Sequence, residues 1–296
     1  RVRLLAVVHD EPPAARSLRD DRVLDEPRLE RSRVVLGHPP EKQRPPIMEI
    51  AKWDDPGWRC TTLGFSLRAN YARVADNALD PAHAEFVHFV ARKGQDPDYQ
   101  MPDYQTQESE WGAGMEVRFR TQAGGLFKGC RPGDTETSAG AAFRGPSQFI
   151  TRIRVNARMS SFQYAFDTPV DDYETRSFLI NARNFFTSPL LDGMVDKRNR
   201  AIIAEDRAVI EMIEPVAPPR GSTSDFSVKA DAIQLIYRRY LRGWESRGWR
   251  IDSEAIHREH PATRLRMIPS PGRRESRNWV FDTVPLVAPD QTPAGD

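Results

Sequence analysis

From Trp53 onward, apolar positions recur with two distinct periods; before it they show little sustained periodicity. Between Asn70 and Leu79 the apolar Tyr71, Val74, Ala75 and Ala78 fall at helical spacing, which predicts a helix. Alternation of period two follows at residues 114–120, 148–155, 161–166 and 175–180, with Gly, Pro and Asp between the runs. This pattern predicts strands of an antiparallel sheet with one buried face. Two longer helical patterns come next, at residues 190–214 and 228–244, separated by Pro215, Pro218 and Pro219. The second sets Ile233, Ile236, Tyr240 and Trp244 on roughly one face. Strands followed by helices indicate an α+β fold rather than a parallel α/β sheet.

The ends differ from this centre. Residues 1–47 are rich in Arg, Pro, Asp and Glu, with Pro12-Pro13, Pro39-Pro40 and Pro45-Pro46, a composition that resists core packing and reads as an irregular or disordered lead. Residues 252–296 read as an irregular tail, which leaves one ordered domain at 48–251. The first residue is Arg1 rather than methionine, so a segment upstream is expected to have been removed, lost or left out.

Composition narrows the function classes. A net charge of +1 gives no reason to expect nucleic acid or a membrane surface as partner. No apolar run is long enough to span a bilayer, so a cytoplasmic protein is expected. Cys60 and Cys130 are the two cysteines, far apart and outside any C-x-x-C or C-x-H pattern, which argues against a disulfide framework or a cysteine metal site.

The densest chemistry lies in Asn77-Ala-Leu-Asp80-Pro-Ala-His83-Ala-Glu-Phe-Val-His88, twelve residues holding two of the chain's six histidines. Neutral imidazole is the commonest side-chain metal ligand, and two imidazoles with one carboxylate form the facial triad of non-haem Fe(II) oxygenases. Asp80-Pro81 is a good helix start. Five residues separate His83 from His88, which on a regular helix places them about 140° apart. A helix end, a local widening or a loop must therefore turn His88 inward. Taken singly, Asp80 reads as a cap, His83 as a solvated first-turn residue and His88 as a hydrogen-bonded core histidine.

A third ligand has to come from elsewhere. Asp206 has Ile202, Ile203, Val209 and Ile210 three and four residues to either side, so it lies in the middle of an apolar helix face. A carboxylate there needs a partner, either a cation or a buried arginine. Glu205, Arg207 and Glu211 fall on the flanks and read as ordinary solvated charges.

Together, Asp76-Asn77-Ala-Leu-Asp80-x-x-His83-x-x-x-x-His88 and Glu205-Asp206-Arg-Ala-Val-Ile-Glu211 resemble the catalytic domain of Rieske-type non-haem iron oxygenase α subunits. The likeness is strongest to the branch of vanillate O-demethylase and dicamba monooxygenase. The resemblance implies a helix-grip (START-like) fold, a curved antiparallel sheet around a long C-terminal helix. It implies a mononuclear Fe(II) held by His83, His88 and Asp206, with Asn77 a polar residue near the iron. Asp80 would be the electron bridge to a [2Fe-2S] Rieske cluster on the neighbouring subunit of a homotrimer. Implied too are O2, an NAD(P)H-dependent reductase or ferredoxin as electron donor, and hydroxylation or O-demethylation of an aromatic compound. A Rieske cluster needs two Cys and two His in C-x-H and C-x-x-H halves, and this chain contains neither half. Either the Rieske region belonged to a longer parent chain, or this product is not reduced in the usual way.

Two rivals stand beside this reading. The 2-oxoglutarate oxygenases resemble His-x-Asp followed much later by His, an order not found here. A non-catalytic helix-grip module could instead hold an apolar small molecule between sheet and helix. Weaker candidates read as surface or turns: His257 and His260, the arginines 238, 239, 242, 247 and 250, and the glycines 124, 125 and 129.

Overall fold

A computed structural model describes residues 45–80, 82–88, 105–121, 135–218, 226–248, 266–267, 282–283 and 288. The lead up to residue 44, most of the tail, Cys130, His257, His260 and the glycines 124, 125 and 129 lie outside the described residues. In the tail, Arg266–Met267 (β8) and Asp282–Thr283 (β9) form a short parallel pair.

Seven strands make one antiparallel sheet: β1 (Arg59–Leu67), β2 (Gln105–Ser109), β3 (Gly112–Thr121), β4 (Thr135–Arg144), β5 (Gln148–Arg154), β6 (Ser160–Pro169) and β7 (Thr175–Arg183). Their spatial order is β1-β7-β6-β5-β4-β3-β2, a meander from β2 to β7 closed at the far edge by β1. The helices are α1 (Tyr71–Leu79), α2 (His83–Val87), α3 (Asp192–Ile210) and α4 (Ala232–Ser246). This is the α+β, helix-grip arrangement that the motifs implied.

The four alternating runs are β3, β5, β6 and β7; the other three strands were not predicted. β2 is a polar edge strand, so it carries no alternation. The middle of β4, residues 138–142, is made of small residues, and β3 passes very close there: a Cβ on Gly140 would stand 2.8 Å from the Met115 carbonyl oxygen. The turn after β4 places Gly145 at φ +66°, a conformation that favours glycine.

Period two splits the sheet's side chains between two faces. On one face, Phe149 joins Met115, Val117 and Phe143 in a core completed by Tyr71, Ala75 and Leu79 of α1 and by α4. On the other, Ile150, Tyr164 and Ile180 are covered by Met48, Ile50 and Trp58 from the segment before β1. The buried stripe of α4 is Ile233, Tyr237, Leu241 and Trp244, while Ile236 and Tyr240 are only partly buried. The expected stripe was thus displaced around the helix. Tyr237 fixes it, because its hydroxyl donates to the Pro146 carbonyl at 2.6 Å and its ring meets Phe143 and Phe149. No described helix is long and apolar enough to cross a membrane.

α1 carries the chain into the histidine segment and is fastened at several points. The Asn70 side chain caps it by accepting from the Ala72 N–H at 3.0 Å, and its amide donates to the Asp172 carbonyl at 3.1 Å. Arg73 donates to the Pro215 carbonyl at 2.9 Å, and Arg238 of α4 pairs with Asp76 at 2.7 Å.

One core position works against stability. Asp167 on β6 is buried, and neither carboxylate oxygen has a hydrogen-bond partner; Ser177 lies opposite in register without an aligned bond. Burial pushes its pKa up from 3.8 to about 6, offset in part by the nearby Ser177 hydroxyl. That rise amounts to on the order of 3 kcal/mol against the ionised form. The folded chain holds this proton more tightly than the unfolded one, so the contribution is fully present below pH 3.8 and is lost as pH rises to about 6. Asp167→Asn is expected to raise the denaturant midpoint at pH 7 and to flatten its decline between pH 4 and 6, as read by urea melts across that range. An unchanged pH profile would exclude Asp167 as its source.

Candidate metal centre

The segment after α1 is shaped by Asp80. Its backbone N–H closes α1 on the Asn77 carbonyl at 3.3 Å, and its Oδ1 accepts from the Ala82 N–H at 2.7 Å. The chain breaks and restarts at this point, as expected. The N-cap of the second helix is Ala82, however, and Asp80 works through a short side-chain turn just ahead of it. α2 has five residues, with His83 first. His88 is its C-cap and has left the helical region, at φ −85° and ψ 119°. A helix end is therefore what turns the second imidazole inward.

α3 is tied to β1 at both ends. At its start the Asp192 carboxylate pairs with Arg59 of β1 at 2.5 Å and with the buried Arg183 of β7 at 2.5 Å. The Arg59 and Arg183 guanidiniums hold Asp192 below its ordinary carboxylate value, and a negative charge there suits a helix N-terminus. At the other end Arg207 donates to the Ser66 carbonyl at 2.9 Å, Glu211 accepts from the Arg68 N–H at 3.0 Å, and Ile210 packs with Leu67 and Val74. The last turns of α3 are thereby presented to α2.

The nitrogens and oxygens that meet there are of one kind. Nε2 of His83 lies 3.2 Å from Nε2 of His88, and Oδ1 of Asp206 lies 3.4 Å from the first and 3.5 Å from the second. Asp206 Oδ1 is shielded from solvent and has no hydrogen-bond partner. Each imidazole's other nitrogen is committed: His83 Nδ1 faces the Asp80 carbonyl at 2.7 Å, and His88 Nδ1 faces Glu205 Oε2 at 3.0 Å. A carbonyl and a carboxylate can only accept, so both Nδ1 atoms carry the hydrogen. In the neutral rings both Nε2 atoms then carry lone pairs. Three electron-rich atoms therefore converge at one point.

A cation satisfies that arrangement. Ligand atoms about 2.1 Å from one ion and at right angles to each other sit about 3 Å apart, close to these separations. All three ligand atoms lie within 4.8 Å of one another. Without a cation the alternative is an extra proton. Burial opposes it on His83, but the Asp206 carboxylate and then Asp80 outweigh burial and raise the His83 pKa above its ordinary value. Asp80 itself is raised by burial, against the pull of the Ala82 N–H and of His83.

The structure thus brings together His83, His88 and Asp206 from two distant segments. Asp80 contacts His83 through its backbone carbonyl. Asn77 sits in the last turn of α1, where its carbonyl accepts from Asp80. Three expectations change. Glu205 is not a free solvated charge but the partner of His88. Arg207 is engaged with the backbone of β1 and Glu211 with that of Arg68 just after it, which periodicity in α3 does not reveal. The apolar face around Asp206 is also less complete than expected: Ile210 is buried, but Val209 is 41% exposed, because α3 lies over the site rather than in the core. The adjacency of Glu205 to Asp206 was the available signal for the missed residue, since metal-binding histidines usually donate their other N–H to a carboxylate or carbonyl.

A cavity of about 130 Å³ lies between β5, β6 and β7 and one face of α3. Met194, Arg198 and Ile202 line it at successive turns of α3. Asp206 is the next residue in that series, about 6 Å further along the axis.

Residues 67–247 match the family model of the vanillate O-demethylase oxygenase C-terminal domain. Pheophorbide a oxygenase, chloroplastic, of Oryza sativa subsp. japonica is 24% identical over 151 residues, which is 48% of this chain and 25% of that protein. Among solved structures, NdmA of Pseudomonas putida CBB5 with caffeine has a TM-score of 0.53 at 23% identity, covering 72% of this chain and 57% of that one. Dicamba monooxygenase bound to dicamba has a TM-score of 0.55 at 17% identity, covering 67% of this chain and 61% of that one. These structural likenesses are of fold, and the chain spans less than two thirds of the length of each relative. With its match over more than half of its residues, the chain belongs to the vanillate O-demethylase oxygenase C-terminal domain family.

Proposed function

We propose that residues 48–251 form the mononuclear-iron catalytic domain of an oxygenase that hydroxylates or O-demethylates an aromatic compound. The observation that carries this reading is the convergence of two Nε2 lone pairs and the shielded Asp206 Oδ1. Two imidazoles and one carboxylate are a donor set suited to Fe(II), and a structure solved of dicamba monooxygenase is described with non-haem iron. Fe(II) held there would supply the redox chemistry that couples O2 to an organic substrate.

The chain's own residues do the rest. His83, His88 and Asp206 are the ligands. The Asp80 carbonyl and the Glu205 carboxylate hold the two rings with Nε2 inward. Asp80 is the bridging residue on the electron route, and Asn77 is a polar neighbour. The cavity under α3, whose lining reaches Ile202, one helical turn before Asp206, would seat the ring. Electrons would come from a Rieske centre outside these residues, fed by an NAD(P)H-dependent reductase or ferredoxin, in a cytoplasmic homotrimer. Caffeine and dicamba, the ligands in the solved relatives, are themselves ring compounds.

Reconstitution with Fe(II) followed by metal analysis is expected to give about one iron per chain, with His83→Ala and Asp206→Ala reducing it to background. Aromatic ligand binding with no stoichiometric iron would favour a non-catalytic carrier and overturn the oxygenase reading. Glu205→Ala is expected to weaken metal binding about 10- to 100-fold, and Glu205→Gln less, in Co(II) titrations followed by absorbance. Equal affinity in all three proteins would remove Glu205 from the site.

A further inference from the structure

The inner wall of the cavity under α3 mixes Ile153, Val155 and Val195 with Ser161, Gln163 and Asn199, so no single group there selects a ligand. Its mouth is different. Of the described side chains that line the cavity, only Phe186 and Met194 are exposed, at 38% and 52%, so these two face both the cavity and solvent. Met194 stands near the start of α3 and Asp206 near its end, about 18 Å further along the axis. The mouth therefore lies at the end remote from the proposed iron ligands, and both of its side chains are apolar.

Phe186 is placed there by its backbone. Its φ of 50° lies in the left-handed region, which glycine and asparagine take readily and a bulky aromatic residue does not. The buried Arg183 holds this turn: its Nε donates to the Phe186 carbonyl at 3.3 Å and its Nη2 donates to Asp192 at 2.5 Å. One guanidinium thus ties both sides of the mouth, the Phe186 turn and the helix start that carries Met194. Glycine would make the same turn without strain, and a ring so exposed is not explained by core packing. Backbone strain fixed by its surroundings clusters at ligand clamps. We propose that Phe186 is a specificity-determining residue which, with Met194 opposite, grips the trailing end of an extended substrate: an aromatic compound with a second apolar group beyond the ring that reacts. This inference rests on the aromatic-oxygenase reading and narrows its substrate class. At about 130 Å³ the cavity holds one ring, since an apolar protein cavity of about 150 Å³ accepts benzene. A group attached on the side away from Asp206 emerges between Phe186 and Met194 and covers apolar surface that is otherwise wet. The Phe186 ring favours a flat group there by offset or edge-on contact, and the Met194 thioether adapts to it.

Phenol and 4-phenylphenol differ by one such group and serve as probes in ligand-observed NMR titrations of the full chain. The second ring is expected to tighten binding on the order of tenfold or more. Phe186→Gly should remove most of that gain while retaining phenol binding, which also shows that the variant is folded. Met194→Ser, at an exposed helical position, should lower the gain from the other side of the mouth. Equal binding of the two probes by the unmodified chain, or a gain that survives in Phe186→Gly, overturns the role of Phe186 but leaves the aromatic reading intact. Loss of phenol binding in Phe186→Gly assigns the ring to the cavity wall or the fold and likewise overturns it. Failure of the unmodified chain to bind either probe overturns both.

Discussion

A carboxylate oxygen shielded from water with no hydrogen-bond partner is the constraint on which the site depends. Asp206 Oδ1 occupies that position, 3.4 and 3.5 Å from two imidazole nitrogens whose lone pairs also point toward it. Such a group cannot be left uncompensated: it must be neutralised by a cation or a proton. Keeping it there requires that neither the carboxylate nor the rings can turn away. The arginine pairs on Asp192, the Arg207 and Glu211 contacts to β1 and the two Nδ1 hydrogen bonds together hold that geometry.

The sheet provides two unlike faces for this purpose. One is closed by the segment before β1, with Met48, Ile50 and Trp58 lying on Tyr164 and Ile180. The other is filled by α1 and α4 toward β3, β4 and β5, while the β5–β7 side under α3 keeps a cavity. A well-packed core at one end and a space at the other is a consequence of where Tyr237 and Phe143 stop and Ile153 and Val155 begin. The hydrogen-bonding groups of that cavity come from both walls, Ser161, Gln163, Asn181 and Arg183 from β6 and β7 on the same face as the core, Arg198 and Asn199 from α3. Their position on strands and a helix rather than loops gives the cavity a definite shape.

Asp167 and Asp206 show how the same chemistry has opposite meanings in different surroundings. Both carry carboxylate oxygens buried without hydrogen-bond partners. Asp167 has only a serine opposite it, and its burial favours the proton. Asp206 has two imidazoles whose own outer nitrogens are already committed, and that arrangement favours a cation.

Much of this was legible in the amino-acid sequence because it depends on local periodicity. Alternation marks β3, β5, β6 and β7, helical spacing marks α1, α3 and α4, and the spacing of His83 and His88 already excludes a regular helix between ligands. The small residues of β4 and the polar edge of β2 gave no signal, since their strand character comes from neighbours that approach closely or pair with the backbone. The same holds for the site. The residue types at 83, 88 and 206 suggested a ligand set, but the role of Glu205 depended on which helix faces which. That in turn depends on contacts more than a hundred residues apart, such as Arg59 with Asp192 and Arg68 with Glu211. Sequence alone determined the chemical groups and their local conformations. Tertiary structure alone decided their convergence, because hydrogen bonding and burial act across space and leave no period in the chain.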